Sequence, residues 1–219
     1  MRVYIQLSEN DKIIPFNYQH LLTGVIHKWL GKDNKFHGKS SLYTFSWLQN
    51  TIATKEGINL KKGAYFFISA YDVDFIKDII RGLLADPEMF NGIQAVDVQI
   101  QQAPEFHDET TFVMASPILL KEKENNKIRH VIYKDKDFET LLTASFKRKL
   151  IQANIESEGV ELRIDPNSSY RSTKLVNYNG IKNRTTLAPI SIKGTAEQIR
   201  YAWCVGLGNS TGIGFGALK

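Results

Sequence analysis

Cysteine is almost absent: the 219 residues contain one, Cys204. A single thiol excludes an internal disulfide, and a reducing compartment is the expected setting. Its position in the apolar run 196–205 marks it as a small core residue. Long hydrophobic runs are missing too. No stretch approaches the roughly 18 apolar residues that span a bilayer, and strand-like alternation starts at Val3, so neither a leader nor a membrane partner is expected. The expected location is the cytoplasm. Short motifs with their own chemistry are equally scarce: there is no HExxH helix, CxxC pair or Ser-His-Asp context, and the glycine-rich stretch 206–216 has neither the Gly-Lys-Ser/Thr end of a Walker motif nor the placement of a dinucleotide fingerprint. No metal and no cofactor are therefore expected.

What is present is an ordinary soluble composition, 42% hydrophobic and 23% charged, with a formal net charge of +5. The distribution says more than the total. Residues 163–184 carry Arg163, Arg171, Lys174, Lys182 and Arg184 against Asp165 alone, whereas Asp72, Asp74, Asp78, Asp86 and Glu88 crowd a segment holding only Lys77 and Arg81. One surface is basic and compatible with a polyanionic partner.

Val3, Ile5 and Leu7 alternate with polar neighbours, which predicts a strand with one buried face. The wheel for Tyr18–Leu30 places Leu21, Leu22, Val25, Ile26, Trp29 and Leu30 on one arc and His20, Thr23, Gly24, His27 and Lys28 on the other. Strands are expected at Leu42–Leu48 and Ala64–Tyr71, a helix from Asp72 with Ile76, Ile79, Ile80 and Leu83 inside, and a strand around Val96–Ile100. That order, β-α-β-β-α-β, is ferredoxin-like. Gln101–Thr110 reads as a linker, after which the pattern recurs: strands at Phe112–Leu120 and Ile128–Tyr133, a helix at Phe138–Ala153, and a strand at Val160–Ile164. A hairpin is expected over Arg171–Ile192 with Asn179-Gly180 as its turn, then the helix Ala196–Val205 and a strand at Phe215–Lys219. The fold class is α+β, two tandem ferredoxin-like (RRM-like, βαββαβ) domains spanning 1–103 and 111–219.

Between the last helix and the last strand lies a loop with five glycines in eleven residues, Gly206, Gly208, Gly212, Gly214 and Gly216, interspersed with Asn209, Ser210 and Thr211. Such a density argues against a packed element. It suits a backbone with positive φ whose N–H groups can cup a phosphate, and the structural alternative is a helix C-cap followed by a connector. Of the five histidines, His27 and His37 stand out: one projects from the polar face of an otherwise buried helix, the other lies just beyond it between Lys35 and Lys39. Two imidazoles can divide base and acid work at neutral pH, each contributing about 10² to 10⁴ in rate. A metal would need further ligands, and this segment offers only Asp33. The run Lys62–Ile68 fails in detail as an RNA-recognition motif and reads as sheet core, and Lys147-Arg148-Lys149 reads as a solvated helix end.

The helix segment Gly24-Val25-Ile26-His27, the strand Leu42–Ser46, Ser116-Pro117-Ile118 and the terminal Gly206-Leu207-Gly208 with Gly212-Ile213-Gly214-Phe215-Gly216 resemble the CRISPR repeat-processing endoribonucleases of the RAMP superfamily. The resemblance covers essentially the whole chain, and the glycine loop is its most specific part. It implies metal-independent cleavage of precursor CRISPR RNA within each repeat, the ribose 2′-hydroxyl attacking the adjacent phosphate. In that family a tyrosine or histidine on the first helix acts with a histidine just beyond it and often a lysine. His27 and His37 occupy those positions; Ser41 stands where some members have the lysine, so Lys39 is the available substitute. RNA contacts are implied for Lys174, Lys182 and Arg184 of the hairpin and for Gly206, Gly208, Asn209, Ser210, Thr211, Gly212, Gly214 and Gly216. The implied partners are CRISPR repeat RNA and an interference complex that receives the guide, the protein acting as monomer or homodimer. Two other readings share the fold: a RAMP subunit that binds guide RNA without cutting it, and a tandem RNA-recognition protein. The histidine pair speaks against the first and the broken aromatic motif against the second.

Overall fold

A computed structural model describes residues 1–31, 42–124 and 126–219. The first half runs β1 (Arg2–Leu7), α1 (Gln19–Leu30), β2 (Tyr43–Phe45), β3 (Gln49–Ala53), β4 (Ile58–Ala70), α2 (Val73–Ala85) and β5 (Ala95–Gln101). Its sheet has the order β2-β4-β1-β5 with every neighbour antiparallel, and β3 pairs with the first part of β4. Val3 faces Ile68 and Ile100 in register, and Ile5 faces Phe66 and Val98, so the alternation in β1 sends Val3, Ile5 and Leu7 to one buried face. Both helices pack there. Helix α1 has no side-chain cap at Tyr18, and twelve residues alone are marginal, so it depends on burying Leu22, Val25, Ile26 and Trp29, each worth roughly 1.5–3 kcal/mol. In α2, Asp72 caps the helix by accepting from the Asp74 N–H at 2.8 Å, and Phe75, Ile76, Ile79 and Leu83 form the buried stripe.

The second half runs β6 (Glu109–Phe112), β7 (Leu120–Glu124), β8 (Lys127–Val131), α3 (Phe138–Gln152), β9 (Glu161–Ile164), β10 (Ser172–Tyr178), β11 (Ile181–Leu187), β12 (Ile190–Lys193) and α4 (Ala196–Val205), then a 3₁₀ turn at Thr211–Ile213. Three strands order as β6-β12-β9, antiparallel throughout, and Leu218 bridges Met114 just past β6. Two hairpins, β7-β8 and β10-β11, are inserted between these elements. One apolar cluster gathers residues of the first half, from Val3 to Ile93, and another gathers Phe112 to Leu218 around α3 and α4. No helix of the described residues is long and apolar enough to cross a membrane.

Arg2 joins the halves. Its guanidinium lies between the rings of Phe67 and Trp203, 3.9 and 4.0 Å from their centroids, while Nε donates to Ser69 Oγ and Nη2 to the Leu218 carbonyl, both at 2.7 Å. A side chain only 2% exposed thus ties β1 to α4 and to the C-terminal segment.

Several expectations need correction. Strand β6 starts at Glu109, inside the stretch read as linker, and residues 113–119, read as strand, are irregular. Their polar groups serve the C-terminus instead: Ala115 donates to the Ala217 carbonyl and Lys219 donates to that of Val113. The hairpin closes through Asn179-Gly180, φ 48° and 82°, as its sequence predicts, but ends at Leu187. Ile190–Lys193 is a separate strand at the centre of the three-stranded sheet. Phe215–Lys219 forms no regular strand beyond the Leu218 bridge. Thr23, placed on the open arc of α1, is buried, its hydroxyl donating to the Gln19 carbonyl at 3.0 Å.

Candidate functional site

The glycine loop is a packed element after all. It is wedged between the α1–β2 corner of the first half and Pro117–Leu119 of the second. Four side chains of the first half donate to consecutive loop carbonyls: Tyr43 Oη to Gly212 at 3.0 Å, Gln19 Nε2 to Ile213 at 2.6 Å, Trp47 Nε1 to Gly214 at 3.0 Å and Thr44 Oγ1 to Phe215 at 3.1 Å. Burial pushes the Tyr43 phenol up to about 12, so it remains a donor at neutral pH. On the other side the Gly216 N–H donates to the Pro117 carbonyl and the Asn209 N–H to that of Leu119, while Asn209 Oδ1 accepts from the Lys121 N–H at 2.7 Å.

Glycine is demanded here by geometry. Gly216 sits at φ +68°, and a Cβ there would lie 1.9 Å from the Leu207 carbonyl oxygen, whose own N–H donates back to Gly216 O. Gly216→Ala is expected to destabilise the protein by about 2–5 kcal/mol, combining left-handed strain with overpacking against backbone that cannot give. Gly24, on the exposed face of α1 with nothing within 4 Å, is the opposite case, and Gly24→Ala should stabilise by about 1 kcal/mol. Thermal melts of the two variants check this contrast; a Gly216→Ala protein melting with the wild type would contradict the packed loop.

Gln19, Thr23 and His27 follow one another at intervals of four and therefore run along one edge of α1, the edge whose first member holds the loop. His27 is exposed near the helix end. The cation beside it is committed elsewhere: Lys28 Nζ lies 2.9 Å from Asp86 Oδ2, holding that carboxyl below its usual range, and also donates to the Glu88 carbonyl. His37 and Lys39 lie outside the described residues. The other histidines have plainer places. His20 Nδ1 is 2.8 Å from the Asn17 carbonyl, and His130 Nδ1 accepts from the Arg184 N–H at 3.3 Å, its pKa lowered by burial and by Lys121 and Arg184. His107 is exposed in the segment joining β5 to β6.

Of the loop residues, Gly208, Asn209, Ser210 and Thr211 line a cavity of about 270 Å³ whose other walls are Leu42, Ser145, Arg148, Lys149, Gln152 and Tyr201. Gly206, Gly214 and Gly216 instead meet backbone or side chains of the protein: a Cβ at Gly206 would lie 2.6 Å from Gly216 O and one at Gly214 2.5 Å from the Phe45 ring. Lys149 is the group that sequence reading missed. It is half-buried, donates to the Gly206 carbonyl at 3.2 Å, and burial lowers its ammonium to about 7. Periodicity could have found it, because Phe138, Leu142, Ser145 and Lys149 are spaced four, three and four apart along the buried stripe of α3. The hairpin cations are all exposed. Pairing of Leu175 with Arg184 and Asn177 with Lys182 sets Lys182 and Arg184 on one face, and Lys174, opposite Thr185, on the other.

Comparison with known proteins agrees with this architecture. Residues 101–219 match the family described as CRISPR associated protein Cas6, C-terminal, and residues 13–103 match CRISPR-associated protein Cas6, N-terminal. The chain belongs to the Cas6 family of CRISPR-associated proteins. A curated relative, the CRISPR-associated endoribonuclease Cas6 1 of Methanocaldococcus jannaschii, is 26% identical over 234 residues, covering 99% of this chain and 91% of that one. Among solved structures, a Cas6-related protein from Pyrococcus furiosus superposes with a TM-score of 0.87 at 21% identity, covering 100% of this chain and 97% of that one. A structure described as a RAMP protein binding different RNA substrates superposes at 0.86 and 22% identity, covering 100% and 98%.

Proposed function

We propose that this chain is an endoribonuclease that cuts precursor CRISPR RNA once in each repeat, without a metal, in the cytoplasm. The observation that carries the reading is the anchoring of the glycine loop, through Gln19, Tyr43, Thr44 and Trp47, against the same helix and strand that flank the histidine-bearing segment. His27 and His37 divide the proton transfers and Lys39 supplies charge; the last two are assigned from sequence. One imidazole takes the proton of the ribose 2′-hydroxyl, whose oxygen attacks the adjacent phosphorus. The bond from phosphorus to the 5′ oxygen breaks, and the other imidazole protonates that oxygen. The products are a 2′,3′-cyclic phosphate and a 5′-hydroxyl.

The two halves are read as ferredoxin-like domains, 1–103 and 111–219. The orders β5-β1-β4-β2 and Leu218-β6-β12-β9, each with two helices in its chain order, support that reading. RNA is held by the loop and by the exposed cations Lys174, Lys182 and Arg184, with single-stranded or looped bases facing the protein. The mature guide then stays bound or passes to an interference complex.

The test is a transcript carrying CRISPR repeats. Wild-type protein is expected to cut once per repeat. Lys182→Ala and Arg184→Ala are expected to bind more weakly, each flattening the log-log salt dependence by roughly 0.7, and to cut at an unchanged rate once saturated. An intact transcript would overturn the function, and unaltered salt slopes would remove the hairpin from the interface.

A further inference from the structure

The cavity between α3 and the glycine loop has a charge pattern that the reaction described above does not use. Among the described residues its ionisable lining consists of Arg148, Lys149 and Tyr201, no carboxylate lines it, and neither Arg148 nor Lys149 forms an ion pair. The Tyr201 hydroxyl is spent on the Lys149 carbonyl at 3.1 Å, and burial pushes its phenol up to about 12, so it carries no charge at neutral pH. Among the described residues the Lys149 ammonium donates to the Gly206 carbonyl alone, which leaves two of its three donors for something else. A lysine on the buried stripe of a helix, beside an arginine and with no carboxylate among the described residues, is a poor structural choice because its charge costs desolvation that a single carbonyl offsets only in part. An anion entering the cavity would offset it.

We propose that this cavity, bounded by Arg148, Lys149 and the Gly208–Thr211 loop, binds one phosphodiester of the RNA, Lys149 meeting the phosphate inside and Arg148 at the mouth. The proposal rests on the RNA-processing reading for its physiological ligand but not for its chemistry, since any phosphate of suitable size would satisfy the site. Arg148 is exposed, whereas Lys149 titrates within the neutral range. Below about pH 7 it is protonated and ready for phosphate; above that pH it must take up a proton as phosphate binds, so affinity falls as the pH rises. From pH 6 to pH 8 the lysine should raise Kd about tenfold, the most that one proton allows over the interval above pH 7.

The experiment measures Kd for an uncleavable, 2′-deoxy-substituted repeat RNA at pH 6, 7 and 8. Wild type is compared with Lys149→Arg, Lys149→Met and Arg148→Met. The four proteins carry the same histidines, so the difference between wild type and Lys149→Arg isolates the lysine. The expected result is that Lys149→Arg loses the tenfold weakening while binding at least as tightly at pH 8, and that both methionine variants bind more weakly at pH 6. A lysine that merely holds the Gly206 carbonyl would be replaced by arginine with no change in the pH slope, and that result would overturn the proposal. Should Lys149→Met fail to fold, wild-type protein with ¹⁵N-labelled lysine settles the matter by NMR, using inorganic phosphate as probe. The Lys149 pKa should rise when phosphate is added, and an unmoved pKa overturns the site. This arm holds even if the protein proves indifferent to repeat RNA, a result that would remove the processing function and leave the anion site standing.

Discussion

Replacing His27 by alanine is expected to slow single-turnover cleavage of repeat RNA by at least about 10²-fold while leaving its affinity nearly unchanged. The imidazole is exposed on the edge of α1, and the helix is held by Leu22, Val25, Ile26 and Trp29 on its other side, so the ring can go without a cavity opening. Its neighbour Lys28 is bound to Asp86, His20 lies against the Asn17 carbonyl, and His130 accepts a hydrogen bond from the hairpin backbone. His37→Ala is expected to behave in the same way, since base and acid act in one transition state and loss of either forfeits most of the gain. Rates at saturating protein are the measurement, and wild-type rates for His27→Ala would remove α1 from the chemistry.

Elements whose pattern is set by local forces were legible in the sequence. The alternation Val3, Ile5, Leu7 becomes a strand between two others, and the Asn179-Gly180 turn falls where only left-handed backbone closes a two-residue hairpin. Strand β3 was not legible, because Gln49–Ala53 has no buried face to produce alternation: it is an edge strand stabilised by pairing with β4. The glycine loop was found but misjudged. Its glycines are dense because the backbone is pressed between two halves of the molecule, a contact between residues 43–47 and 212–215 that no local pattern encodes. Arg2 escaped notice for the same reason: its partners are Phe67, Trp203 and Leu218, far along the chain. Lys149 is the instructive miss. The run Lys147-Arg148-Lys149 suggests solvent when read as charge, whereas the four-three-four spacing from Phe138 puts its last member on the buried stripe.

The proposed reaction depends above all on the identity of the nucleophile, and one substitution in the RNA tests it. A single deoxyribose just upstream of the scissile phosphate removes the 2′-hydroxyl but keeps every phosphate and base available to the loop and the hairpin. That RNA should bind about as tightly as the native repeat and remain uncut, while a chelator leaves cleavage of the native repeat unchanged. A metal-activated water would give the reverse, cutting the deoxy RNA and stopping on chelation. Cleavage of the deoxy-substituted repeat at the same bond would contradict the mechanism, even if both histidines proved essential.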